Sequence, residues 1–239
     1  MKKAVFWLLS FLIVFVCGCK RSLETNSSSV SLSKTICEEN AFTYEFDETE
    51  GFYSICGFEG GLEEIAIPET YKGIPVKKIE KYAFQNAYAI KKIQIPSTIT
   101  EIEEWAFFGC NFLTEFVVSE ENEAYSDLDG NLYDRDKKVL MSYALGKSEK
   151  SFRLPQGVVT VSMGAFGDCG NLLKIIFPKS IQKIEKYAFL GGNRVTSVVF
   201  QKSGVWKAEE YEISWEYLEN PFQAAIQIKI YNAYTWEKC

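Results

Sequence analysis

Lys78-Ile79-Glu80-Lys81-Tyr82-Ala83-Phe84 returns letter for letter as Lys183-Ile184-Glu185-Lys186-Tyr187-Ala188-Phe189. Two looser copies lie between them, Glu101-Ile102-Glu103-Glu104-Trp105-Ala106-Phe107 and Thr160-Val161-Ser162-Met163-Gly164-Ala165-Phe166. The four Ala-Phe pairs follow one another at steps of 23, 59 and 23 residues. A fixed step of about 20 to 50 residues marks a solenoid, and the other features of the chain are set out around that step.

With the Phe of each pair as origin, five columns are apolar in all four copies. Eight and five residues before it stand Val76, Ile99, Val158, Ile181 and Ile79, Ile102, Val161, Ile184. Six after it stand Ile90, Leu113, Leu172 and Val195. Nine and eleven after it stand Ile93, Phe116, Ile175, Val198 and Ile95, Val118, Phe177, Phe200. The last two columns are two residues apart, which is strand alternation with both side chains on one face. Pro96 and Pro178 follow at once, and Pro68 and Pro155 close similar strands; proline ends a strand and opens a turn. The Ala-Phe segment lacks a period of two and ends near Gly109, Gly167 or Gly191, so it reads as a short helical or tight turn. Each repeat is a short strand, a Pro turn, a second short strand and a compact turn. None can bury its apolar face alone, so stacking makes the core.

The phrases Ile93-Gln94-Ile95-Pro96, Ile99-Thr100-Glu101-Ile102, Ala106-Phe107, Cys110 and Leu113 together resemble the BspA-type leucine-rich repeat of bacterial surface proteins. The resemblance runs from about residue 40 to 200, with Ala87 and Gly192 in place of the Cys column and Ser119 and Gln201 in place of Pro. It implies a mainly β, leucine-rich-repeat-like solenoid of 23-residue repeats with short helical turns, a hairpin N-cap and a helical C-cap.

The order along the chain fits that plan. Residues 1–19 read as an export signal: Lys2 and Lys3, a largely apolar run over residues 4–16, then Val16-Cys17-Gly18-Cys19, which resembles a lipobox with Cys19 as the acylated residue. A run of 13 residues suits a signal and is short for a membrane span. Residues 20–35 are a Ser-rich tether. Residues 36–239 form one repeat domain: an entry cap (36–75), the repeats (76–200) and an exit cap (201–239). In the entry cap, Phe42 to Phe46 and Phe52 to Ile55 alternate around residues 47–51, a hairpin that covers the open edge. A 36-residue insertion at about 117–153 interrupts the period; its Leu132-Tyr133 and 139–143 segments read as a second hairpin, expected to stack as an extra layer with Phe152 and Leu154 in the strand columns. In the exit cap, Asn220-Pro221 starts a helix whose Phe222, Ile226 and Ile230 share one face. The tail resembles the treponemal branch of the family, and it is expected to lid the last repeat.

Composition narrows the chemistry. With 47% apolar residues the chain supports one core. Net charge is −6, and no basic block occurs, which argues against nucleic acid. The chain contains no histidine, which excludes His-based triads and His zinc sites. No cofactor is expected. Glu63-Glu64, Glu103-Glu104, Glu120-Glu121 and Glu209-Glu210 are adjacent pairs, which point to opposite faces of a strand and cannot supply a facing acid and base. Asp127, Asp129 and Asn131 resemble a calcium loop, but the twelfth position holds Lys138 or Leu140, so a turn is the better reading. Cys110 and Cys169 share an inward column and read as packing residues, able to bridge only if their layers adjoin. Cys37 and Cys56 can pair within the entry cap in an oxidising compartment, leaving Cys239 over.

One column should face outward. Ten residues after the Phe stand Gln94, Val117, Ile176 and Val199, flanked by Lys92, Glu115, Lys174 and Ser197. An exposed apolar ridge of this kind marks a partner site, although β-propensity or cover by the insertion would also account for it. The resemblance implies a non-enzymatic, surface-anchored protein-binding module, with adhesion to host matrix proteins or other bacteria from the outer membrane. A periplasm-facing scaffold that binds envelope proteins fits the same residues.

Overall fold

The computed structural model describes residues 41–239; the leader, Cys19, the tether and Cys37 lie outside the described residues. The two strand columns become two rows of short parallel strands. The first row comprises Glu64–Ala66, Lys92–Ile95 and Glu115–Val118, then Ser151–Arg153, Lys174–Phe177 and Ser197–Phe200, in two three-stranded sheets. The second comprises Phe52–Phe58, Ile74–Ile79 and Glu101–Ile102, then Val139–Ser142, Thr160–Val161 and Lys183–Ile184. Partners in a row are 23 residues apart in the regular layers, as in Ile175 with Val198 and Val161 with Ile184. The five apolar columns are all buried.

The Ala-Phe segments are tight turns rather than helices. They are closed by bonds from residue i+3 back to i, such as Ala83 N–H to Glu80 O (3.1 Å) and Gln85 N–H to Tyr82 O (2.9 Å). Positive φ recurs two residues before the Phe, at Tyr82, Trp105, Gly164 and Tyr187, and two after it, at Asn86, Gly109, Asp168 and Gly191. Successive turns are tied by the backbone: Phe84 N–H donates to Ala106 O (2.8 Å) and Phe166 N–H to Ala188 O (2.8 Å). Their rings stack likewise, Phe84 on Phe107 at 5.4 Å and Phe166 on Phe189 at 5.0 Å.

The insertion is a layer as expected, and more regular than its sequence suggests. Tyr143 takes the Phe place, 23 residues before Phe166; its N–H donates to Ala165 O (2.9 Å) and its ring lies 5.6 Å from that of Phe166. Phe152 pairs with Ile175, so Phe152 and Leu154 do rejoin the strand columns. Strand Asn131–Asp134 pairs antiparallel with both Val139–Ser142 and Tyr125–Leu128, so the hairpin is a three-stranded meander. Both strand rows and the core break at this meander. Leu132 packs with the N-terminal core cluster and Tyr133, its neighbour, with the C-terminal one.

Strand Tyr125–Leu128 closes the edges left open by the break. Ile102 N–H donates to the Tyr125 hydroxyl (2.7 Å), Val118 N–H to Asp127 Oδ1 (2.8 Å), and Phe116 N–H to Gly130 O (2.9 Å). Two fully buried asparagines anchor the segment. Asn122 Nδ2 donates to Pro96 O (2.7 Å) and Ile99 O (2.9 Å), and its Oδ1 accepts from Ala124 N–H (2.9 Å) and Tyr125 N–H (2.7 Å). Asn131 Oδ1 accepts from Ala144 N–H (3.0 Å). Asp127 and Asn131 are thus turned to separate backbone groups, which accounts for the loop without an ion.

The caps follow the same rule. The entry hairpin pairs Phe42–Asp47 with Phe52–Phe58, and Asp47 Oδ1 accepts from Thr49 and Glu50 N–H in its turn. At the exit, helices α1 (Trp215–Leu218) and α2 (Pro221–Ile230) cover the last layer, with Asn220 accepting from Phe222 and Gln223 N–H. Asn232 supplies the acceptors a further layer would provide: its O to Tyr187 N–H (2.5 Å) and its Oδ1 to Phe189 N–H (3.2 Å). Two expectations are corrected here. Helix α2 buries Ala224, Ala225 and Ile228, leaving Phe222 and Ile230 exposed, because the small alanines let it sit close to strand Ser197–Phe200. The cap also contains three strands, Trp206–Ala208, Tyr211–Ile213 and Trp236–Lys238, the last pairing with Lys183–Ile184. Among the described residues no helix is long and apolar enough to cross a membrane.

Replacing Asn122 by Ala strands two backbone donors and two acceptors together. Each buried unsatisfied group costs about 1–3 kcal/mol, so a loss on the order of 3 kcal/mol is expected, read as a lower urea midpoint at unchanged slope. A shift below about 1 kcal/mol would show that the segment is anchored elsewhere.

Candidate protein-binding face

In the first strand row the residues nine and eleven after the Phe are buried and the residue between them is half-buried, so that residue faces out. Register aligns Ala66, Gln94 and Val117 in one sheet, and Arg153, Ile176 and Val199 in the other. The ridge expected from the sequence is therefore present as two patches. Val117 adjoins Gln94, and Ile176 adjoins Val199, but Val117 and Ile176 do not share a sheet. The turn at residues 127–130 lies along the edge of strand Glu115–Val118, where Gly130 fits so tightly that a Cβ would come within 3.1 Å of Thr114 O.

The flanking columns differ between the patches. Lys92 and Glu115 pair across layers at 3.1 Å, a surface ion pair of small net worth. Lys174 lies between Ser151 and Ser197 in register, with Arg153 next to Ile176. The C-terminal patch is thus apolar with a cationic margin, whereas the N-terminal patch is flanked by Lys92 between two carboxylates, Glu64 and Glu115. Arg153 and Ala66 join this row from layers that depart from the Ala-Phe phrase, Arg153 lying between Phe152 and Leu154 and Ala66 between Ile65 and Ile67.

The groups with shifted titration are structural. Burial pushes the thiols of Cys110 and Cys169 up to about 12, and burial likewise raises Tyr133 and Tyr143. Cys110 Sγ donates to Phe84 O (3.1 Å) in the adjoining layer. Cys110 and Cys169 carry free thiols, as packing residues do, and the Tyr143 layer stands between theirs. Cys56 is also a free thiol, donating to Thr43 O at 3.5 Å; Cys37 lies outside the described residues. Glu103 is held below the usual carboxylate range, first by Lys78 and then by the Lys81 N–H. Among the described residues no three His, Cys, Asp or Glu side chains are placed to hold a metal.

A stack of layers, each with two short strands paired in parallel to the next at a 23-residue step, is the arrangement of a leucine-rich-repeat-like solenoid. The model of the BspA type leucine rich repeat region matches in six copies over residues 52–128 and 141–236, more than half of the chain. The chain belongs to that family. Among curated proteins, none matches. Among solved structures the chain is similar to the pneumococcal vaccine antigen PcpA, at 20% identity and a TM-score of 0.50, over 61% of this chain and 41% of that one. It is also similar to a leucine-rich repeat protein of Eubacterium ventriosum (23% identity, TM-score 0.47, 57% of this chain and 41% of that one). A third is the leucine-rich repeat protein of T. pallidum (22%, 0.43, 66% and 68%). The chain spans less than half of the length of the first two.

Thiol chemistry should follow burial. At pH 8 a thiol reagent is expected to label Cys239, which is exposed, and to leave Cys110 and Cys169 unlabelled until denaturant is added, as read by peptide mass mapping. Both folded thiols hold their protons above their usual value of 9.0, so their stabilising contribution is complete below pH 9 and is lost as pH rises towards 12. Serine at both positions should flatten part of that alkaline loss; an unchanged profile would remove the thiols from the account.

Proposed function

We propose that this chain is a non-enzymatic protein-binding module, exported and held at the cell envelope through acylated Cys19. Its outward strand row is the contact surface. The observation that carries the reading is the outward row itself: Val117, Ile176 and Val199 are apolar and half-exposed in a register that folding alone would satisfy with any β-former. Arg153 and Lys174 beside Ile176 and Val199 suit a partner with an acidic, partly apolar surface. The family's repeat fold is consistent with protein interaction, and the neighbouring solved structures share the fold alone. Adhesion to host matrix proteins or to other bacteria from the outer membrane surface is the role this chemistry supports best.

Two measurements test it. Protease added to intact cells should digest the repeat domain while a known periplasmic protein survives; protection until lysis would turn the reading to a periplasm-facing scaffold for envelope proteins. Replacement of Val117, Ile176 and Val199 by Thr should reduce capture of the partner by at least about tenfold, since interface energy concentrates in a few residues. The thermal midpoint should move little, because all three side chains lie outside the core clusters. Undiminished capture would rule out this face.

A further inference from the structure

The inserted layer is short in one place. Five residues separate Ile102 from Phe107 and Val161 from Phe166, but only three separate Leu140 from Tyr143. The missing part is the first half of the Ala-Phe turn, the part that presents Trp105 and Met163 in the layers on either side. Its absence leaves a cleft of about 480 Å³ on the turn side of the molecule, away from the outward strand row. Trp105 leans across the gap: its Nε1–H donates to Met163 Sδ (3.2 Å), and its ring lies over Gly164, where a Cβ would come within 2.9 Å of it.

Met141, Met163 and the half-buried indole of Trp105 give the cleft an adaptable apolar surface. Trp105 holds a positive φ of 65°, as Tyr82 and Tyr187 do at the same place in their turns, and of these three aromatic residues it is Trp105 that lines the cleft. Four carboxylates line the cleft, from Glu101, Glu103, Glu104 and Glu185, and no lysine or arginine does. Lys78, behind the rim, pairs with Glu101 (3.0 Å) and Glu103 (2.5 Å), and Lys183 with Glu185 (3.3 Å). Glu104 has no ion pair among the described residues, so two ammonium groups face four carboxylates.

The geometry points to a second binding site, independent of the strand face: this cleft receives an extended segment of a partner protein that alternates arginine with apolar side chains. Arginine fits the indole and the carboxylate of Glu104 in particular, Glu103 and Glu185 each already accepting from a lysine and a backbone N–H. Its guanidinium stacks on an indole and takes carboxylates in a forked hydrogen bond, and it is more weakly hydrated than an ammonium. The volume lies within the range of about 300–1,000 Å³ that holds ligands of a few side chains.

The test titrates a synthetic hexapeptide of alternating Arg and Leu into the full chain, by calorimetry at low salt, beside the same peptide with Glu for Arg. Saturable binding of the Arg peptide alone is expected, weakened as salt rises. Trp105→Gly keeps the backbone conformation and should weaken binding at least about tenfold, Glu104→Gln about threefold. Ser142→Phe, which fills the cleft, should abolish binding, and thermal unfolding checks that each variant is folded. The Thr replacements of Val117, Ile176 and Val199 should leave peptide binding unchanged. Any one of these results overturns the assignment: no saturable binding, equal binding of the Glu peptide, full binding by Ser142→Phe, or loss confined to the strand-face variant.

Discussion

A layer of this protein cannot satisfy its own backbone. Beyond the bonds that close its own turns, each layer sends backbone N–H groups to its neighbours on both sides, as Phe84 does to Ala106 of the following layer and Glu103 to Ile79 of the preceding one. A buried N–H without a partner is costly, so every place where the next layer is missing must supply a substitute. The substitutes are side chains and, for Phe116 and Tyr187, the backbone carbonyls of Gly130 and Asn232. Tyr125 and Asp127 serve Ile102 and Val118 at the internal break, and Asn232 serves Tyr187 and Phe189 at the exit. Even between complete layers, Glu103 accepts from Lys81 N–H and Glu185 from Met163 N–H, where the turn leaves a donor over.

The internal break is where this constraint and the core meet. A strand sends neighbouring side chains to opposite sides. By placing Leu132 towards one core cluster and Tyr133 towards the other, strand Asn131–Asp134 joins two apolar stacks without continuing either strand row. The buried asparagines hold that joint in register, because an amide can accept and donate at once and so replaces strand edges of both polarities. The same joint divides the outward face into two patches and shortens the turn beneath Trp105. The molecule's surface is therefore most irregular where its interior is most constrained.

How much of this the residues disclosed depends on what kind of force each feature answers to. The five buried columns, the proline turns, the entry hairpin and the Asn220-Pro221 start were legible, because burial and local backbone preference act on residue type at fixed spacing. Tyr143 is hard to read as a repeat origin because Ser142-Tyr143 stands where the other layers have Ala-Phe and the turn before it is two residues shorter; the step of 23 to Phe166 is the available signal. The spacing of the larger Phe222, Ile226 and Ile230 points to the wrong face of α2, because closeness to strand Ser197–Phe200 selects alanine. Asn122 carries no signal of its role, since nothing in one sequence tells a buried amide from an exposed one. The apolar outward column was legible as a column, but its division was not, since that follows from the hairpin's docking in space.

Area sets a condition on any partner of the strand face. Strands about 4.8 Å apart with a rise of about 3.3 Å per residue make a three-stranded patch of four residues roughly 14 Å by 13 Å, on the order of 200 Å². Two such patches give about 400 Å², half of the roughly 800 Å² that a stable partner covers on each side. Neither patch suffices, nor do both together. The rest has to come from neighbouring surface, and beside the first patch that surface is the turn at residues 127–130, held against strand Glu115–Val118 by Asp127 and Gly130. A partner shaped for an uninterrupted leucine-rich-repeat face would meet this turn as an obstacle. One that fits this chain must accommodate it, so the insertion that solves the backbone problem of the interior also sets which surfaces the exterior can accept.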